Sequence, residues 1–272
     1  MKARVRILSK ELGCDIMPCD KEGNGLVWRY EEQASLWLWA YPELLGWDRE
    51  IKWLFSPVVG KKRFPGDLWG IDSRSSLILV ETKLAKARNS AQNPFEDFVP
   101  FEMRSAKRLS TEIIQRRWES LLKDEMGFLE QHREDIEDNW PNKGRFPGVV
   151  PYSKHRHAVW DWRRVYLEVI VPQLQDSTSY AARIREYLAK RKRNSPIHYF
   201  GIVAVAAGSV PRLSPTGIAN YDKLRRQVGK SRAHFHGIEA SYTRDKRVAI
   251  TMYRYDPQSE VTRSEGGTLR AS

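Results

Sequence analysis

Apolar residues recur along this chain at two periods, and the changes between them divide it into elements. "LVWRYEEQASLWLWAYPELLGW" reads as a helix from about Trp28 to Ala40, with Leu36, Trp37 and Trp39 as its apolar bulk and Pro42 limiting its extension. "EIKWLFSPVV" is strand-like, and "DLWGID" and "LILVETK" flank the short turn "SRS", so two further strands follow in antiparallel order. From Pro100 to about Asn139 the residues Met103, Ala106, Leu109, Ile113, Ile114, Trp118, Leu121 and Leu122 recur at spacings of three and four. That pattern predicts one long amphipathic helix, with a break placed near Gly127. "WPNKGRFPGVVPYSKHRH" reads as a loop, "VYLEVIV" as a strand and "STSYAARIREYLAKRKR" as a basic helix with a Ser/Thr cap. "HYFGIVAVAAG" has the unbroken apolar run of a central strand, "IANYDKLRRQVGK" is a short helix, and "GIEASYTRDKRVAITMYRY" is a hairpin.

This order predicts an α/β fold: a central mixed β-sheet flanked by helices, with an inserted basic segment. A single domain is expected over residues 1–256, with its core in 28–136 and 197–256, a basic insertion at about 140–196, and an unstructured tail at 257–272. Forty-one per cent hydrophobic residues and ten tryptophans support a folded chain. Two cysteines, Cys14 and Cys19, make neither a disulfide framework nor a zinc site. With no apolar run of about 18 residues, no membrane partner is expected, and a soluble, cytoplasmic protein is.

Charge adds a direction. Residues 1–142 hold 22 Lys+Arg against 24 Asp+Glu, and residues 143–272 hold 24 against 10, so the net charge of +12 divides into −2 and +14. That asymmetry points to a polyanion, most naturally nucleic acid, meeting the second half. The expected phosphate contacts are Lys190, Arg191, Lys192 and Arg193, then Arg225, Arg226, Lys230 and Arg232, with Lys61, Lys62 and Arg63 as guides for the nucleic-acid strand. Trp160 and Trp162, flanked by Arg156, Arg163 and Arg164, offer surfaces for stacking, or for core packing. The pairs His155/His157 and His234/His236 lack a carboxylate or cysteine at zinc-ligand spacing.

The chemistry sits in "FPGDLWGIDSRSSLILVETK", residues 64–83. If Ser73 to Ser75 form the turn, Asp72 faces Ser76 and Asp67 faces Glu81, with Cβ atoms about 4.5–5.5 Å apart on one face. Lys83 returns to that face by strand alternation, whereas Asp72 falls on the other. Two opposed carboxylates repel unless a proton or a divalent cation separates them, and Mg²⁺ is commonly held by one or two carboxylates plus waters. A cation so held polarises a phosphodiester and promotes deprotonation of water, with Lys83 orienting water or offsetting phosphate charge. Burial could also lower the Lys83 pKa.

At these residues the chain resembles the PD-(D/E)XK, or restriction-endonuclease-like, nuclease superfamily, which places an Asp at the start of one strand and Glu-x-Lys at the end of the next. Here those are Asp67 and Glu81-Thr82-Lys83, with the preceding proline displaced to Pro65. "LWAYPELLGW" followed by a strand looks most like the mismatch and branched-DNA endonuclease-type members. The resemblance implies a restriction-endonuclease-like core and a Mg²⁺- or Mn²⁺-dependent DNA endonuclease in repair, defence or mobile-element processing. Asp67 and Glu81 would be its metal ligands. The resemblance also implies a supporting carboxylate from the helix, at Glu31 or Glu32, and a DNA- or metal-orienting glutamine at Gln92, which some relatives place on a following helix. A homodimer or a partner nuclease subunit would supply a second cut. The alternatives are a non-catalytic nucleic-acid-binding subunit that keeps the fold, a salt-bridged hairpin in which Lys83 neutralises Glu81, and a structural interaction protein with a Trp-rich surface.

Overall fold

A computed structural model describes residues 28, 31–55, 65–85, 91–131, 177–242 and 248–255. Helix α1 (Glu31–Ala40) is followed by a 3₁₀ turn (Pro42–Leu45) and strands β1 (Ile51–Phe55), β2 (Leu68–Asp72), β3 (Leu77–Leu84) and β4 (Ala91–Gln92). Helices α2 (Phe98–Arg104) and α3 (Thr111–Gln131) come next, then α4 (Ser177–Ala189) and β5 (Ile197–Val205). The order closes with β6 (Arg212–Leu213), α5 (Pro215–Val228), β7 (Ala233–Tyr242) and β8 (Val248–Tyr255).

Among the described residues, six strands form one mixed sheet in the order β1-β2-β3-β5-β7-β8, and β4 and β6 make a separate parallel pair. The β1–β2, β2–β3 and β7–β8 neighbours are antiparallel, whereas β3, β5 and β7 run parallel. The expected mixed sheet flanked by helices is therefore observed. Parallel strands are covered on both faces, which accounts for the continuous burial of "IHYFGIVAV" in β5.

The β2–β3 hairpin follows the register expected of it: Leu68 faces Val80, Gly70 faces Ile78, and the Asp72 N–H donates to Ser76 O at 3.0 Å. Its three-residue turn ends on Ser75 at φ 66°, the left-handed conformation that such loops require. Asp72 holds the turn. One of its carboxylate oxygens accepts from the Arg74 and Ser76 N–H groups at 2.9 and 2.8 Å, and the other from Arg49 at 2.9 Å and the Trp47 indole at 3.1 Å.

Residues at odd positions, such as Trp69, Leu77, Leu79, Val203 and Phe235, enter the main core with Phe98 and Phe101 of α2, Ile114 and Trp118 of α3, Ile184 and Leu188 of α4 and Leu224 of α5. Helix α1 covers the opposite face, where the Trp53 indole donates to Leu38 O and Trp39 O at 3.2 and 3.1 Å. Gly201 of β5 faces the core under Phe95, and a Cβ there would meet the ring at 2.4 Å.

Three expectations change. The helix foreseen from Pro100 to Asn139 is two helices parted at Ser105–Ser110, not at Gly127. Ser110 caps the second, its hydroxyl accepting from the Ile113 N–H at 3.3 Å. The final part of the expected insertion, residues 177–196, is a layer of the core, because Ala181, Ile184, Tyr187 and Leu188 are buried there. Helix α5 begins at Pro215, earlier than the expected start, behind a Ser214 cap whose hydroxyl accepts from Gly217 at 3.0 Å. The expected strand "VYLEVIV", the loop before it, the hairpin tip near Arg244 and Asp245, and the tail 257–272 lie outside the described residues.

Candidate active site

Strand β3 continues past the end of β2. The β2–β3 ladder ends at Leu68 and Val80, so the N–H groups of Thr82 and Leu84, which point toward β2, have no strand to meet. A buried N–H without an acceptor costs on the order of 1–3 kcal/mol. Two carboxylates take the place of the missing strand: Asp67 accepts from Thr82 N–H at 2.8 Å, and Glu31, at the start of α1, accepts from Leu84 N–H at 3.2 Å.

Asp67 lies one residue ahead of β2 and donates its own N–H to Val80 O at 2.7 Å. It thus binds both residues that flank Glu81, rather than continuing the ladder to face it. The approach is fixed by Trp69, whose indole donates to Pro65 O at 2.6 Å, and by Gly66 at φ 96°. A Cβ on Gly66 would stand 2.8 Å from Val80 O. Gly66→Ala is therefore expected to destabilise the fold by about 1–3 kcal/mol through the positive φ and the clash with backbone. Urea unfolding measures it, and an unchanged midpoint would show that the loop needs no glycine.

Glu81 is 6% exposed and bonds through Oε1 to the Lys83 ammonium. Lys83 also lies 3.7 Å from Glu31 Oε2. Burial works against the lysine's charge, but Glu81, then Glu31 and Asp67, outweigh it and hold the pKa above the ordinary lysine value. The lowered pKa considered from sequence is thus reversed, and Lys83 acts as a fixed cation rather than a proton acceptor. The α1 helix is tied to the same strand by Ser35, whose hydroxyl bonds to that of Thr82 at 3.2 Å. Nothing in the residue pattern signals that link, since a serine in a helix is unremarkable alone.

Asp67, Glu81, Lys83 and Glu31 consequently form one cluster with a formal charge of −2. The donor chemistry suits a hard divalent cation: carboxylate oxygens, a matching charge, and solvent access past Lys83 and Glu31, whose side chains are 28% and 36% exposed. Among the described residues no group of three or more His, Cys, Asp and Glu residues is arranged to hold a metal ion. Lys83 must also move off Glu81 for that oxygen to serve.

Other expected site residues lie elsewhere. Gln92 is in the two-residue strand β4, not on a helix, and its backbone O accepts from Ser214 N–H at 2.9 Å. Arg191 is buried. It is 8% exposed and donates to Ser75 O at 3.1 Å, and desolvation lowers its pKa to about 10. Arg225 lies over the Tyr221 ring at 5.1 Å, and Arg232 donates to Val228 O at 2.5 Å, so both are partly committed to the fold. Lys190, Lys192, Arg193, Arg226 and Lys230 are exposed, with Lys190 paired to Glu186 at 2.5 Å. Lys61, Lys62, Arg63, His155, His157, Trp160 and Trp162, with Arg156, Arg163 and Arg164, lie outside the described residues, as does the side chain of Glu32.

His234 and His236 stand side by side on β7, buried against Phe200 and near His198. No helix among the described residues is long and apolar enough to cross a membrane. Comparison with protein-family models, with curated proteins and with solved structures finds no match for this chain.

Proposed function

We propose that the chain is a Mg²⁺- or Mn²⁺-dependent DNA endonuclease built on a restriction-endonuclease-like core. One observation carries the reading: Asp67, Glu81 and Lys83 gather with Glu31 where β2 stops beside β3. Asp67 and Glu81 would hold the cation, which when bound supplies the Lewis acid for phosphodiester hydrolysis. Lys83 places a positive charge where a scissile phosphate gains negative charge, and Glu31 steadies the lysine. Thr82 N–H fixes one oxygen of Asp67 and so orients the carboxylate.

A second reading draws on the same contacts. Asp67 and Glu31 each satisfy a β3 N–H, so the cluster could be a structural cap in a non-catalytic DNA-binding subunit. D67N and E81Q separate the two, because each keeps an oxygen acceptor while removing a charge. The test incubates supercoiled, linear, branched and single-stranded DNA with Mg²⁺, Mn²⁺ or EDTA. The nuclease reading expects metal-dependent cleavage by the wild type and a loss of about 10²-fold or more in both variants, with unfolding midpoints little changed. DNA retention without cleavage of any substrate form would establish the binding subunit instead.

A further inference from the structure

The parallel strands set the candidate site and the basic loops at opposite ends of the sheet. Leu77 pairs with Ile197 at the amino end of β3 and β5, and Lys83 pairs with Val203 toward the carboxyl end. Glu81 and Lys83 thus lie near the carboxyl end. Three connections meet at the other. The β2–β3 turn carries Arg74, the α4–β5 loop carries Lys190, Lys192 and Arg193, and the end of α5 with the loop into β7 carries Arg226 and Lys230.

Bonds hold these connections together. The Arg191 guanidinium donates to Ser75 O at 3.1 Å, Leu77 N–H donates to Pro196 O at 3.0 Å, and Tyr199 N–H donates to Arg232 O at 2.8 Å. The six named cations are exposed. Of the acids nearby, Glu186 is paired with Lys190, Glu50 is bound to Lys52 and Tyr187, and Asp72 is spent on Arg49. Asp48 lies 3.6 Å from Arg49. Six residues of strand separate Leu77 from Lys83, which is about 20 Å at 3.3 Å per residue. That length equals about six base-pair steps of duplex DNA.

We infer that this amino-end surface is a separate anchor for the phosphate backbone of duplex DNA, distant from the bond to be cut. The choice of polymer rests on the nuclease reading. Cations about 20 Å from the cluster cannot touch the scissile phosphate, so they contribute affinity and leave the chemical step alone.

The test compares K192E/R193E/K230E with K107E/R108E/K123E, an equal change of charge at exposed residues of the 3₁₀ turn after α2 and of α3. Affinity for a fluorescent 30-base-pair duplex is read in EDTA across a salt series, and thermal unfolding confirms that each variant is folded. The anchor triple is expected to bind at least tenfold more weakly and to flatten the log–log salt slope by about 3, at about 0.9 for each phosphate no longer neutralised. The second triple should bind and cleave within about twofold of wild type. Equal weakening in the two triples, or none in the first, would overturn the anchor. Wild-type protein that binds in this way but cuts nothing with any divalent metal would defeat the nuclease reading and leave the anchor standing.

Discussion

Lys83→Ala is expected to slow DNA cleavage by roughly 10²–10⁴-fold while leaving duplex affinity within a few-fold of wild type. The ammonium sits among Glu81, Glu31 and Asp67, which hold its pKa above the usual lysine value against the opposing effect of burial. It is therefore a permanent positive charge beside the two proposed ligands. If Lys83 serves as proposed, removing it takes away a positive charge that would offset the charge developing on the phosphate. Lys83→Met keeps most of the stem and should lose activity similarly, which separates charge from packing. Lys83→Arg is not expected to restore the rate, because a planar fork does not occupy the position of a compact ammonium. Single-turnover cleavage of plasmid DNA measures the rate, and fluorescence anisotropy in EDTA measures binding. Full activity in either neutral variant would remove Lys83 from the mechanism. Mn²⁺ should bind these variants no more weakly than wild type, since Lys83 no longer competes for Glu81 Oε1.

The second large effect is a loss of stability in mild acid, and it does not depend on function. Desolvation lowers the pKa of His198 to about 4, of His234 to about 2 and of His236 to about 3. Asp72 pulls His198 upward, whereas Arg49 and Arg232 press it down and Arg254 presses on His234 and His236. In the unfolded chain each titrates near 6.5. Below that pH the unfolded state takes up protons that the folded state refuses, so stability is fully present above about 6.5 and falls as pH drops toward the folded values. At about 1.4 kcal/mol per unit and group, three histidines remove about 5 kcal/mol between pH 7 and pH 5, comparable to the whole stability of many domains. Urea midpoints should fall over this range, before most carboxylates protonate. His234→Phe, whose ring can stack on Phe200 as the imidazole does at 4.4 Å, should lessen the fall. A midpoint constant from pH 7 to pH 5 would refute the account.

What the sequence made legible was local. The hairpin register followed from turn chemistry and alternation, so Asp72 facing Ser76 and the strands on either side came out as observed. The gathering of Asp67, Glu81 and Lys83 followed from the same count, although Asp67 departs from the ladder at its end. Less legible were outcomes decided by distant partners. Arg191 stands in a run of four basic residues, yet Ser75 O, far away in sequence, takes it inward. The Lys83 pKa is raised against burial chiefly by Glu81, with Glu31 adding to it from another element. The break at Ser105–Ser110 was foreshadowed by Ser110, a favoured N-cap residue, masked by apolar periodicity that ran across it.

Strands β2 and β3 are of unequal length, five residues against eight. The difference ties the carboxylate cluster to a count of residues: extending β2 backward by two would give Thr82 an ordinary backbone partner and evict the aspartate from its seat. A sturdier hairpin and a charged cradle are thus competing uses of the same stretch of edge, and this chain has settled on the cradle.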